Sequence, residues 1–243
     1  MMLTPAPLGA DTKLVLLRHG ESEWNASSRF TGWADIDLTP QGVIQAQTAA
    51  EMLRRAQWTF EYGFSSMLTR ALRTYWVVAK HLHPDQERPP VTDWRLNERH
   101  YGILTGMTKA EVSAHYGALQ LTNFRFNRDA RPAPVPLDHQ YSPESDPRYL
   151  QFAPRSLPRG ESIGDAAIRV RAAWSDLILP RIGAGNRVLV CGHGTTLRSL
   201  IQIIGGLEDE VVTSMKIPNA EPVAYSLVRK AARPFVVEPT IDF

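Results

Sequence analysis

The chain has 243 residues, 43% hydrophobic and 21% charged, with a net charge of +2. That suits a globular chain able to bury a sizeable core, as one large α/β domain or two small ones. It carries no basic block of the kind that binds nucleic acid and no apolar run approaching a membrane span, and its single cysteine, Cys191, excludes an intrachain disulfide.

The first residues lack the pattern of a secretory signal, so the cytoplasm is the expected location. With two prolines and Gly9, residues 1–12 are expected to be a flexible extension, and 13–243 a single catalytic domain with a lid or insert at about 99–160. The segment Leu14-Val15-Leu16-Leu17-Arg18-His19-Gly20-Glu21 reads as a fully buried strand of a parallel sheet, ending in Arg-His-Gly where such sheets bind ligands. A polar, glycine-punctuated loop follows, and its Asn25, Thr31 and Gly32 amide are candidate phosphate contacts. Thr39 and Pro40 open a helix whose Val43, Ala46, Ala50 and Leu53 share one face. A weak strand at 61–65 leads to a helix at 67–81, with Arg70 in its first turn. A cation there opposes the helix dipole. A bound anion sharing the helix amides would explain it, and a solvated surface arginine is the other reading.

A third strand is expected at 91–94, followed by Leu96-Asn97-Glu98-Arg99-His100-Tyr101-Gly102. A capping box at Thr108 and Glu111 starts a helix to about residue 116. From 121 to 158 the periodicity dissolves among seven prolines, which reads as a lid or binding excursion. A helix is predicted over 162–180, a fourth strand over 186–191, helices over 195–204 and 208–215, and edge strands over 223–228 and 234–237. The fold class is α/β: a three-layer α/β/α sandwich with a largely parallel central sheet.

Val188-Leu189-Val190-Cys191-Gly192-His193-Gly194 repeats the first strand's pattern. Two strands each ending in His-Gly can bring His19 and His193 to one sheet edge. Neutral imidazole is a competent nucleophile, and Arg18, Arg70 and a later arginine would disfavour imidazolium while binding an anion. Two histidines and Glu98 also fit a two-His, one-carboxylate metal site. The arginines oppose it, and no metal is expected. His81, His83, His100, His115 and His139 read as surface or satisfied histidines, and Cys191 as packing.

Leu17-Arg18-His19-Gly20-Glu21-Ser22, Trp24-Asn25, Arg29-Phe30-Thr31-Gly32-Trp33 and Asn97-Glu98-Arg99-His100-Tyr101-Gly102, together with Gly106, Lys109, Asp146-Pro147-Arg148-Tyr149, Glu161-Ser162 and His193-Gly194, resemble the histidine phosphatase superfamily. Within it the likeness is to the phosphoglycerate mutases that depend on 2,3-bisphosphoglycerate. The resemblance implies that His19 is the phosphorylated nucleophile, that Arg18, Arg70 and His193 surround the transferring phosphoryl group, and that Glu98 is the general acid and base. It implies that Asn25, Thr31, Gly32 and the Gly194 amide bind phosphate or substrate, with Thr195 beside them. Arg99, Tyr101, Lys109 and Arg125 would grip a small phosphorylated carboxylic acid. It further implies 2,3-bisphosphoglycerate as primer, no metal, no nucleic-acid or membrane partner, and a homodimer or homotetramer. The chain departs from the pattern at Phe126, where mutases usually carry a second arginine, at Thr195, where they usually carry asparagine, and in the tail after Val228. Interconversion of 2- and 3-phosphoglycerate is therefore the first expectation, hydrolysis of a small phosphomonoester the second, and a non-catalytic phosphate-binding module the third.

Overall fold

The computed structural model describes residues 12–152, 157–230 and 233–239. The predicted flexible extension lies outside them, except for Thr12, which opens the first strand. Six strands form one sheet: β1 (Thr12–Arg18), β2 (Tyr62–Ser65), β3 (Val91–Thr92), β4 (Val188–Gly192), β5 (Pro222–Lys230) and β6 (Arg233–Pro239), in the order β3-β2-β4-β1-β5-β6. β1, β4, β2 and β3 run parallel, while β5 pairs antiparallel with both β1 and β6. The proline expected to weaken the last strand falls in β6, at the edge of the sheet, where proline is tolerated.

The helices are α1 (Glu23–Ala26), α2 (Pro40–Arg55), α3 (Thr69–Leu82), α4 (Lys109–Tyr116), α5 (Ala118–Phe126), α6 (Ile163–Ala173), α7 (Leu179–Gly183), α8 (Gly194–Gly205) and α9 (Asp209–Ser214). The alternation of side chains along β1 assigns them to layers. Leu14 and Leu16 face Val170 of α6 and Leu197, Leu200 and Ile201 of α8. Val15 and Leu17 face Ala49, Ala50 and Leu53 of α2 and Tyr75, Val78 and Ala79 of α3. Both faces are covered, which is why β1 and β4 read as unbroken apolar runs.

Three segments differ from the sequence expectation. β3 has only two residues, because Trp94–Leu96 tightens into a 3-10 turn capped by the Asp93 side chain. The helix predicted over 162–180 widens into a π turn at Trp174–Ile178, just before Pro180, which has no N–H to continue the α pattern. The chain after Leu121 does not dissolve at once: α5 continues to Phe126 and packs Phe124 against Phe30, Leu104 and Val112. Beyond it, Val135, Ser142 and Tyr149 anchor the proline-rich stretch by burial, while most of its other described residues are exposed or half-buried.

The loop after β1 passes very close to the first turn of α2. A Cβ on Gly20 would lie 2.2 Å from the Gly42 carbonyl oxygen, and one on Gly42 would lie 2.0 Å from that of Glu21. Both obstacles are main chain and have no rotamer with which to yield. Gly20→Ala is therefore expected to lower stability by about 2 kcal/mol or more, measured by urea unfolding. A loss under about 0.5 kcal/mol would show that α2 can move away.

Candidate active site

The parallel strands end in a row. β1, β4 and β2 are neighbours, and the residue after each is His19, His193 and Ser66. Strands lie about 4.8 Å apart, and the two imidazole centroids are 5.0 Å apart. The ladder continues one step past β1, with the His19 N–H donating to the Gly192 carbonyl at 3.0 Å. Both histidines are buried, at 3% and 0% exposure.

Hydrogen bonds set the state of each ring. Nδ1 of His19 lies 2.6 Å from the Gly20 carbonyl, an acceptor only, so Nδ1 carries the proton and Nε2 keeps its lone pair. Ser66 Oγ accepts the Leu68 N–H at 3.2 Å and lies 2.7 Å from Nε2 of His193. With that N–H accepted, the hydroxyl can still donate to Nε2, and the other ring nitrogen is Nδ1. That atom is buried and has no partner in the protein. Burial first, then the charges of Arg70 and Arg18, hold His19 well below the usual imidazole range. His193 is lowered by burial, Arg70, His19 and Arg18.

A cavity of about 320 Å³ opens in front of His19. Arg18, Arg29, Arg70, Lys109, Arg125, Arg198 and Lys216 line it, facing one carboxylate among the described residues, Glu98. Burial lowers the pKa of Arg18 and pushes that of Arg70 down to about 10. Arg70 is 1% exposed, so the reading as a solvated surface arginine fails. Its guanidinium donates to the carbonyls of Ala34 and Gly32, at 3.0 and 2.8 Å. No external anion is needed at the start of α3, where the Asp35 carboxylate takes the Thr69 N–H at 2.7 Å. Three buried donors around the cavity lack any protein partner: Arg18 Nε, Thr31 Oγ1 and His193 Nδ1.

The histidine phosphatase superfamily (branch 1) profile matches residues 14–234. The chain belongs to that superfamily. A 2,3-bisphosphoglycerate-dependent phosphoglycerate mutase of Nitratidesulfovibrio vulgaris is 43% identical over 94% of this chain and 92% of its own length. Among solved structures, one described as mycobacterial hydrolase 1 superposes with a TM-score of 0.69 at 25% identity, covering 95% of this chain and 96% of its own. A mycobacterial glucosyl-3-phosphoglycerate phosphatase solved with VO3 gives 0.66 at 26% identity, covering 93% and 96%.

As a histidine phosphatase, the chain brings most of the residues singled out in its sequence around one cavity. Arg18, His19, Asn25, Thr31, Gly32, Arg70, Glu98, Tyr101, Lys109, Arg125 and Gly194 all line it. His193 stands directly behind His19. Two residues are placed differently. Arg99 is buried and does not line the cavity: its guanidinium lies 4.6 Å over the Tyr101 ring and donates to the Phe124 carbonyl, while its Nε and Nη1 have no partner among the described residues. Thr195 is buried too, and its N–H donates to the Glu98 carboxylate at 3.2 Å, so it positions Glu98 rather than lining the cavity. Residues 127–152 do not line the cavity; its outer wall is made by 101–126. His100 is a satisfied core histidine: Nδ1 accepts the Gly102 N–H, and Nε2 faces the Tyr141 carbonyl.

Glu98 sits at the N-terminus of α8, where the helix amides favour negative charge. Burial would raise its pKa, but the Arg99 N–H, the charges of Arg198 and Arg70, and the Thr195 N–H outweigh that and hold it below the usual carboxylate range. Its backbone is fixed separately. Its carbonyl accepts from Trp33 Nε1 at 2.6 Å and from Arg169 Nη2 at 2.9 Å. Arg169 uses all five donors: two to Glu161, and the others to the carbonyls of Arg95, Asn97 and Glu98. Sequence reasoning missed Arg198, Lys216, Ser66 and Arg169. Two signals were available: Arg198 is one helical turn beyond Gly194, and Ser66 follows a strand end just as the two histidines do.

The lowered imidazoles carry a pH consequence. Below the ordinary value of 6.5, the unfolded chain takes up protons that the folded chain refuses. Stability is then lost as pH falls from 6.5, by up to about 1.4 kcal/mol per pH unit for each histidine. In the NMR spectrum of the free protein, neither ring is expected to titrate between about pH 5.5 and 8. A midpoint near 6.5 for His19 or His193 would refute the electrostatic assignment.

Proposed function

We propose that the chain moves a phosphoryl group through Nε2 of His19 and interconverts 2- and 3-phosphoglycerate. The observation that carries this reading is the charge of the cavity, seven cations against one carboxylate among the described residues. A phosphate monoester bears about −1.5 to −2 at neutral pH, so a bisphosphate with a carboxylate bears roughly −4 to −5. Hydrolysing a monoester needs only the cations beside His19. Retaining a bisphosphate while it turns needs cations along the whole cavity. The Nitratidesulfovibrio relative, a 2,3-bisphosphoglycerate-dependent phosphoglycerate mutase, points the same way.

In this mechanism the Nε2 lone pair attacks phosphorus, the N–P bond forms, and the P–O bond to the departing hydroxyl breaks. Arg18, Arg70, the Gly194 amide and the His193 Nδ1–H hold the phosphoryl oxygens where charge builds up. Asn25, Thr31 and Gly32 orient the substrate. Tyr101, Lys109 and Arg125 take its remote anionic end. Glu98 is ionised in the free protein. Once a phosphoryl anion occupies the arginines that hold its pKa down, the carboxyl can carry the proton it gives to the leaving oxygen. It takes that proton back from the hydroxyl that attacks phosphohistidine in the second half-reaction. 2,3-Bisphosphoglycerate, held by the same cations, supplies the phosphoryl group that primes His19.

A specific observation favours hydrolysis as the second reading. Phe126 lines the cavity next to Arg125, whose guanidinium packs 4.6 Å over its ring. A cation the mutase pattern would place there is missing, and one of the superposable structures is described as a phosphatase.

The test is phosphorus NMR of 2-phosphoglycerate with a trace of 2,3-bisphosphoglycerate under chelator. The expected product is 3-phosphoglycerate. Free phosphate alone would mean a phosphatase, and no turnover a non-catalytic anion binder. His19→Ala should abolish the reaction, and residual turnover would refute the phosphohistidine. Phe126→Arg is expected to raise the ratio of isomerisation to hydrolysis several-fold, roughly the effect of one partly screened charged contact. An unchanged ratio would show that position 126 does not set the outcome.

A further inference from the structure

Two cations lining the cavity have no role in the mechanism above: Arg29, whose Nη1 donates to the Gly106 carbonyl at 2.7 Å, and Lys216. Lys216 lines the wall made by the segment between α9 and β5, is exposed, and has no hydrogen bond or ion pair among the described residues. Its main chain is firmly placed. Arg198 Nη1 donates to the Met215 carbonyl at 3.3 Å, and Arg18 Nη1 donates to the Ile217 carbonyl at 2.7 Å. Two residues further on, Asn219 Nδ2 donates to the His19 carbonyl at 2.8 Å and the Ala220 N–H to that of Arg18 at 2.9 Å. The flanking Met215 and Ile217 side chains are both 2% exposed. Lys216 therefore projects a free ammonium from a backbone that two cavity arginines hold in place.

We propose that Lys216 is a substrate-binding residue that takes the remote anionic group of the substrate, in a cavity where Phe126 offers no charge. The inference rests on the reading of His19 as the phosphoryl acceptor. The transferring phosphoryl group already has Arg18, Arg70 and His193. An ammonium on a flexible four-carbon stem suits a group whose position changes as the ligand turns, because it acts as a point charge and demands no fixed plane. Through the hydrogen bonds to Met215 and Ile217, an anion drawn to Arg18 or Arg198 also bears on the segment that carries Lys216.

Two ligands separate this role from a diffuse charge effect. 3-Phosphoglycerate and glycerol 3-phosphate differ only in carrying a carboxylate or a hydroxymethyl group at the end remote from phosphate. Calorimetric titration on the His19→Ala protein reads binding without turnover. Lys216→Met in that background is expected to weaken 3-phosphoglycerate about tenfold and glycerol 3-phosphate less than about twofold, the order of one partly screened charged contact. Lys216→Arg should retain the preference for 3-phosphoglycerate. Equal weakening of both ligands, no weakening of either, or no binding of 3-phosphoglycerate to the parent protein would overturn the proposal. The reaction is read separately, by phosphorus NMR of the wild type. A chain that hydrolyses rather than isomerises, yet shows the discrimination, would change the reaction and leave Lys216 in its place.

Discussion

The site depends on one register. β1 and β4 pair in parallel with Arg18 opposite Gly192, so the next residue on each strand is a histidine. A slip of one residue would turn one imidazole to the opposite face of the sheet. The register is held by burial on both sides, since every residue from Leu14 to Leu17 and from Val188 to Cys191 is fully buried. Hydrophobic packing with no chemical role thus fixes the 5.0 Å between the two rings.

The second constraint is charge in a buried place. Arginines at the strand ends and on α3 and α8 would be costly without anions, and the resting protein pairs them mainly with backbone carbonyls. Burial first, and then this positive field, keeps both imidazoles neutral, while the Arg99 and Thr195 N–H groups together with the field keep Glu98 ionised. An anion placed among these arginines would weaken that field, and the charge state of Glu98 would respond to it.

Much of this was legible in the sequence because it lies in short patterns. The apolar runs ending in His-Gly located two of the three row residues, and the Asn-Glu-Arg-His-Tyr-Gly string located Glu98. Local patterns do not show which way a side chain turns. Arg99 and Tyr101 sit two apart on an irregular loop, and only the packing of Phe124 and Phe30 decides that the tyrosine faces the cavity and the arginine backs it. The end of α5 was hidden because its helical spacing is blurred, with only Phe124 of its nine residues buried. Arg169 was invisible for another reason: its partners lie 8 to 74 positions away, and its value lies in carbonyls, which a sequence does not distinguish.

The Glu98 carbonyl is held by Trp33 and Arg169, while its carboxylate answers to Thr195, Arg99 and the cavity cations. These are separate attachments. A change of charge on the carboxyl therefore need not disturb the carbonyl's two donors, so the main chain can stay in place while the side chain changes its partners.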